Sequence, residues 1–178
     1  VSNNYCHLDQ IIKRPKKLAT DKSKDIDYLK HLIQVYQKKQ QQVPYGWVIL
    51  RPTTPLRNFK LVDKSIDYLR KNDDATSLIS VHEISETPAK MFGISGKYLH
   101  GLAPFDPRKE YYTLPRQEFP PSYIGNGYVD IILTKSILNN EFYGDRMLPF
   151  HTPDTGEVDT ENDFVNLEVK INNKNFAK

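Results

Sequence analysis

Glu157 and Asp159 stand two residues apart near the end of the chain. In extended backbone that spacing puts both side chains on one face. Two carboxylates there make a hard, all-oxygen site suited to Mg²⁺, above all when substrate phosphates complete the octahedron. An ordinary solvated acidic pair is the plainer reading of the same residues. The run Arg51-Pro52-Thr53-Thr54-Pro55-Leu56-Arg57 places two arginines around two hydroxyls and two prolines. Proline stiffens such a loop through the unfolded chain, and arginine supplies planar forks for phosphate, carboxylate or base edges. The alternative is a helix-entry turn with Arg57 in solvent. Arg116-Gln117 and Asn126-Gly127 bracket a Pro-Pro turn. Gly127 permits unusual backbone geometry, and Asn126 offers donor and acceptor together; a plain strand-initiation turn fits them too. Lys90, before Met91-Phe92, reads by itself as a surface lysine.

Other chemistries find no foothold. The five histidines (His7, His31, His82, His100, His151) show no zinc-like pair spacing. No G-x-S-x-G, glycine-rich phosphate loop or H-E-x-x-H motif occurs. Cys6 is the single cysteine, so an intramolecular disulfide is impossible and a cytosolic setting is expected. The net charge of +3 is too small to argue for nucleic acid. The early basic cluster (Lys13, Arg14, Lys16, Lys17, Lys22, Lys24) is diluted by Asp21, Asp25 and Asp27 and lacks an aromatic stacking platform. No apolar run approaches the roughly 20 residues of a membrane span. With 178 residues and 38% hydrophobic content, one domain with an ordinary core is expected.

The elements that must position these residues follow from periodicity. Ile26, Leu29, Ile33 and Tyr36 recur at helical spacing, with Ser23 or Asp25 as N-cap. Pro44 and Gly46 break that helix, and Trp47-Val48-Ile49-Leu50 suits a strand buried on both faces. Asn58 caps a second helix with Phe59, Val62, Ile66 and Leu69 on one face. Leu78, Ile79, Val81 and Ile84 make another strand. Glycines 93, 96 and 101 among β-formers read as a hairpin excursion. Residues 128–133 are again a strand, and 135–138 begin a short helix. Glu157 to Asp159 reads as a strand end. Thr160-Glu161-Asn162-Asp163 resembles a capping box opening a final helix with Phe164, Leu167 and Ile171 as its stripe. The sum is an α/β pattern with a mainly parallel sheet. Ligands in such sheets sit beyond the carboxyl ends of the strands, where residues 51–57, 82–90 and the Glu157/Asp159 turn all fall.

Four stretches occur in order: Arg14-Pro15-Lys16-Lys17-Leu18-Ala19; Leu50-Arg51-Pro52-Thr53-Thr54-Pro55-Leu56-Arg57; Arg116-Gln117 with Asn126-Gly127; and Val158-Asp159-Thr160-Glu161-Asn162-Asp163-Phe164. Together, from Arg14 to about Ile171, they resemble the cytidylyltransferases that make CMP-activated nonulosonic acids, such as the acylneuraminate cytidylyltransferases. Each motif alone is weak; the ordered set points to the family and not to one sugar. The resemblance implies a three-layer α/β/α Rossmann-like nucleotidyltransferase fold. It also implies a homodimer in which residues 91–123 are an inserted dimerisation element. Its substrates would be CTP and a nonulosonic acid, with Mg²⁺ as cofactor.

By the same resemblance, Arg14 matches the arginine that reads cytosine, and Ser23 and Asp25 lie in the stretch lining the base. Arg51, Lys90, Arg116, Gln117 and Asn126 match sugar-binding positions, with Lys90 and Arg116 holding the sugar carboxylate. Glu157 and Asp159 match paired metal aspartates, the first here one methylene longer. Two further departures concern the sugar: Arg51 stands where sialic acid enzymes usually have glutamine, and Asp130 where they often have an aromatic. The family opens with a strand and a basic, glycine-containing phosphate loop, which residues 1–12 do not resemble. The expectation is that Val1-Ser2-Asn3-Asn4 ends a second strand, that the first βα unit lies upstream, and that this stretch alone binds CTP poorly. The alternatives are a related nucleotidyltransferase for another sugar, and a degenerate domain kept for dimerisation or binding.

Overall fold

The computed structural model describes residues 11–103 and 106–172. Cys6, and the strand end expected at residues 1–4, lie outside the described residues.

Helix α1 (Asp25–Lys38) buries Leu29 and Ile33, as its periodicity requires. Its N-cap is Lys24, which makes no side-chain cap bond. Neither expected cap residue takes that role. The Ser23 hydroxyl accepts from the Thr20 amide at 3.0 Å in the preceding turn, and the Asp25 carboxylate turns away to an arginine described below. Asp25 and Asp27 still favour the helix by lying in its positive first turn.

Strand β1 (Gly46–Ile49) follows; it lies at an edge of the sheet with Val48 exposed, which corrects the expected burial of residues 47–50 on both faces. Helix α2 (Phe59–Arg70) is capped by Asn58, whose side chain accepts from the Lys60 amide. Val62, Ile66 and Leu69 pack on the sheet, whereas Phe59, expected on that stripe, is exposed. Strand β2 (Ser77–Ile84) leads to the hairpin β3 (Phe92–Ser95) and β4 (Tyr98–Gly101), turning at Gly96. Strand β5 (Ser122–Leu133) is twice as long as anticipated. Helix α3 (Thr134–Leu138) and strand β6 (Met147–His151) follow. The sequence pattern missed β6 because Pro149 interrupts it; an edge strand tolerates that proline. Helix α4 (Glu161–Asn172) begins in the expected capping box: Asp163 Oδ2 accepts from the Thr160 amide at 2.9 Å, and Thr160 Oγ1 accepts from the Asp163 amide at 3.3 Å. Its stripe is only partly covered, with Leu167 buried and Phe164 and Ile171 exposed.

The main sheet has the order β1-β5-β2-β6. β5 is antiparallel to both β1 and β2, and β2 is parallel to β6. The expectation of mainly parallel pairing is therefore corrected. β1, β2 and β6 share one direction, but the excursion after β2 leaves and returns at the same end, which brings β5 back antiparallel between its neighbours. Along β1 the side chains alternate. Trp47 and Ile49 join Ile132 under α1 and α3 with Leu29, Ile33 and Ile137. On the opposite face Leu78, Val129, Ile131 and Leu133 pack with Leu69 of α2. The result is three layers, helix on sheet on helix.

β5 is not regular. Ile79 pairs with Asp130, but Val81 pairs with Gly125, so four residues, 126–129, bulge opposite Ser80. Side chains satisfy the displaced backbone groups. Ser80 Oγ accepts from the Val129 amide at 2.9 Å, and Asn126 Oδ1 from the Tyr128 amide at 3.2 Å. Arg57 donates from Nε to the Tyr128 carbonyl at 2.6 Å and from Nη2 to the Gly127 carbonyl at 3.0 Å and the Arg51 carbonyl. Arg57 is thus a clamp between the loop after β1 and the bulge, not a solvated helix-entry residue. Burial lowers its pKa from the ordinary arginine value. Arg57→Ala removes bonds to three carbonyls, of which only that of Arg51 keeps another donor, the Thr54 amide, and is expected to cost about 2 kcal/mol or more, against about 1 kcal/mol for Asn58→Ala; urea unfolding of both variants measures the difference.

Candidate active site

Beyond the end of β1, residues 51–57 turn sharply, with the Thr54 amide donating to the Arg51 carbonyl at 3.1 Å. The segment 152–160 lies against this loop. The Thr152 amide donates to the Val81 carbonyl at 3.0 Å, and the Val158 amide to the Thr53 carbonyl at 2.8 Å. This segment is irregular, so the expected strand end at Glu157 and Asp159 is corrected. The strand is β6, which stops at His151, and its hydrogen bonding passes to the 51–57 loop instead. The two-residue alternation invoked for the acidic pair therefore does not hold.

Glu157 nevertheless arrives at the bulge. Gly127 has φ +63°, and a Cβ on it would stand 2.9 Å from Glu157 Oε1, 3.2 Å from Arg51 Cδ and 3.2 Å from Thr54 Oγ1. The bare Cα and left-handed backbone of this glycine let Glu157, Arg51 and Thr54 close around one point. Arg51 reaches back to α1, donating from Nη2 to Asp25 Oδ2 at 2.9 Å, and the same nitrogen stands 3.7 Å from Asp130 Oδ2. Burial opposes the Arg51 charge, but the Asp25 hydrogen bond and the two carboxylates outweigh it and raise its pKa. Tyr28 and Tyr143 flank the cluster, each with its pKa raised chiefly by burial. Arg14 stacks over Tyr28 with its guanidinium 4.5 Å from the ring centroid. Arg51 thus links Asp25 to the turn at Gly127, where Glu157 also arrives, and Arg14 stands beside them on Tyr28.

The other expected residues lie elsewhere or are otherwise engaged. Ser23 is held in its own turn. Asn126 is buried in the bulge, donating from Nδ2 to Thr152 Oγ1 at 2.8 Å and lying 3.3 Å from His82 Nδ1. Asp159 donates its backbone amide to Asp163 Oδ2 at 3.2 Å. Arg116 and Gln117 line a cleft of about 270 Å³ with Glu83, Thr87 and Phe119, and Arg116 approaches the Ile84 carbonyl at 3.5 Å. The β2–β5 register places Ile84 five residues beyond Ile79, the partner of Asp130. At about 3.4 Å per residue this is roughly 17 Å further along the strand. Lys90 is exposed at the end of a short turn after β2 whose Ala89 is buried. Within one chain the structure therefore separates Lys90, Arg116 and Gln117 from the Arg51 cluster.

Sequence reasoning missed Tyr28, Tyr143 and the role of Arg57. Only Tyr28 carried a signal, since it lies one position from Leu29 on the helix. Among the described residues, no group of three or more His, Cys, Asp or Glu side chains is arranged to hold a metal ion. The hard oxygen chemistry of Glu157 and Asp159 suits Mg²⁺ only if phosphates and water supply the remaining ligands. Among the described residues, no helix is long and apolar enough to cross a membrane.

No family model matches the chain. It is 26% identical over 164 residues to the N-acylneuraminate cytidylyltransferase of Streptococcus agalactiae serotype III, covering 88% of this chain and 36% of that protein. The same figures hold for that enzyme in Streptococcus agalactiae serotype Ia. The resemblance to the cytidylyltransferases of CMP-activated nonulosonic acids stands. The chain spans 36% of the length of these curated relatives. A solved structure of CMP:2-keto-3-deoxy-manno-octonic acid synthetase complexed with CTP superposes with a TM-score of 0.57 at 14% identity, covering 86% of this chain and 70% of that one. The fold is therefore shared with a cytidylyltransferase.

Two outcomes follow from the site geometry. Gly127→Ala forces a side chain into left-handed backbone and against Glu157, so urea unfolding should show a loss of about 1–2 kcal/mol. Asp130 is buried, and desolvation raises its pKa despite Arg51. Its folded form keeps a proton that the unfolded chain releases near pH 3.9. The stability this adds is complete below that pH and is lost as pH rises through the raised folded value. Asp130→Asn removes this component, so its unfolding free energy should fall less than that of the wild type between about pH 3.5 and 7.

Proposed function

We propose that the chain belongs to a cytidylyltransferase that transfers CMP from CTP to the anomeric hydroxyl of a nonulosonic acid. The anomeric oxygen forms a bond to the α-phosphorus, the bond from that phosphorus to the β-phosphate oxygen breaks, pyrophosphate leaves, and the hydroxyl proton passes to water. The observation that carries this reading is the closure of Arg51, Thr54 and Glu157 around Gly127, with Asp25 paired to Arg51 and Arg14 stacked on Tyr28 beside them. Matching motifs in a cytidylyltransferase-like fold add support.

In this reading Arg14, steadied on Tyr28, reads the cytosine edge with its fork. Arg51, held by Asp25, faces the sugar. Glu157 and Asp159 would hold Mg²⁺ together with the triphosphate oxygens. That ion would supply charge neutralisation as pyrophosphate departs. Glu157 stands ready for this, since no described ion pair engages it.

Arg116, Gln117 and Lys90 enter from a second subunit. Their distance along the β2–β5 arm and the exposed apolar side chains of the hairpin (Phe92, Ile94, Tyr98 and Leu99) support a homodimer built on this excursion. Each protomer would then lend its arm to the neighbour's Arg51 cluster.

Pyrophosphate release by the full-length protein with CTP, Mg²⁺ and a panel of nonulosonic acids tests the reading. Arg116→Ala should raise the KM of the sugar acid about tenfold or more and leave that of CTP within about twofold. When Arg116→Ala and Glu157→Gln subunits are unfolded together, reassembled and assayed at sugar acid well below the raised KM, where each alone has low activity, mixed dimers should regain activity through their one intact site. Inactivity on the whole panel contradicts the enzyme reading, and failure of complementation contradicts the shared site.

A further inference from the structure

Asn126 is 8% exposed, and its side chain is engaged inside the fold. The Tyr128 amide can only donate, so the Asn126 Oδ1 that accepts from it at 3.2 Å must face that way. Nδ2 then points at Thr152 Oγ1, 2.8 Å away, and at His82 Nδ1, 3.3 Å away. Both Nδ2 hydrogens are thus in use, and the His82 Nδ1 that faces a donor must present its lone pair. A neutral imidazole with a bare Nδ1 carries its proton on Nε2. That Nε2 bonds to no described residue and is not closed off from solvent. His82 pairs with Ile124 on the β2–β5 ladder, next to the Val81–Gly125 pair where the bulge begins. Beyond it, the Ile84 carbonyl is approached by Arg116 at 3.5 Å. A fixed N–H donor therefore stands between the Gly127 bulge and the Arg116 cleft.

We propose that Asn126 is a positioning residue that holds His82 as its Nε2–H tautomer, and that His82, not Asn126, donates to an acceptor oxygen of the sugar acid. This rests on the cytidylyltransferase reading above, and it moves to His82 the sugar contact that the family pattern gives to Asn126. The tautomer decides the task. With Nε2 protonated, neutral His82 cannot take the proton of the anomeric hydroxyl at that atom and can only donate there. The location favours the sugar over the nucleotide. Arg14, which would read cytosine, stands on Tyr28 of α1. His82 lies instead on β2, and the residues after it, Glu83 and Ile84, line the cleft of Arg116 and Gln117.

Imidazole nitrogen NMR and steady-state kinetics of the full-length protein test the two halves. The His82 ring, identified by the signals lost in His82→Gln, should show a protonated Nε2 and a bare Nδ1. Asn126→Asp keeps the acceptor for the Tyr128 amide, turns the donor facing His82 into an acceptor, and should put a proton on Nδ1. In kinetics that vary sugar acid at saturating CTP and the reverse, His82→Ala should raise the KM of the sugar acid about tenfold, the size of one lost hydrogen bond, and leave that of CTP within about twofold. His82→Gln sets an amide N–H close to the place of Nε2 and should stay within about threefold of wild type. His82→Asn keeps a partner for Asn126 but has no donor at that place, and should match His82→Ala. An unchanged KM for CTP reports an intact fold in each variant. A proton on Nδ1 of the wild type, Nδ1 still bare in Asn126→Asp, a His82→Asn like wild type beside an impaired His82→Ala, a His82→Gln as impaired as His82→Ala, an unchanged sugar KM in His82→Ala, or an equal rise in both KM values overturns the proposal and leaves the enzyme reading in place. A wild type inactive with every sugar acid overturns both.

Discussion

The site depends on one irregularity in a strand. Four residues of β5 oppose a single residue of β2, and Arg57 holds that bulge against the loop after β1 through three carbonyls. The bulge carries Gly127 outward into left-handed backbone. It also resets the strand so that Asp130 faces Arg51. A regular ladder would carry side chains through that point and keep Glu157 away. Bulges re-aim side chains beside active sites, and here the re-aiming gathers residues from five parts of the sequence.

The charge pattern follows from that geometry. Two carboxylates share one partly buried guanidinium, and Tyr28 and Tyr143 stand near enough to feel all three charges. The half-exposed Arg51–Asp25 pair contributes about 0–1 kcal/mol, so that pair serves orientation more than stability. Arg57 shows the opposite use of the same residue type, fully engaged with backbone and absent from ligand chemistry. Two arginines six apart in one loop thus have separate tasks, which the three-dimensional position of their forks decides.

The fold was legible where local signals were strong. The Asn58 cap, the Thr160/Asp163 capping box and the glycine-marked hairpin all appear as their chemistry requires, and a strand forms at Trp47 although only one of its faces is covered by helices. Sheet direction was not legible, because nothing within β5 records whether the chain returns beside β2 or crosses over. Strand β6 was hidden by Pro149, and the segment at Glu157 was misjudged because its hydrogen bonds go to a loop about 100 residues earlier. In the site, residue types such as Arg51 and Glu157 could be picked out by motif. The half-buried Tyr28 and Tyr143 could not be placed there, since they look like ordinary helix and loop residues, and Asp130 was marked only as a departure from the family pattern and not as a partner of Arg51. The separation of Arg116 from Arg51 is likewise set by strand register, which motif order does not encode.

The claim beneath all of this is that the Gly127 bulge is where nucleotide phosphates and acidic side chains meet. A crystal structure of the full-length protein with CTP and Mg²⁺ addresses it most directly. The account predicts a metal ion on Glu157 and Asp159 with the triphosphate beside Gly127 and the cytosine toward Arg14. A triphosphate bound on another face, with Glu157 free of any ion, would contradict it.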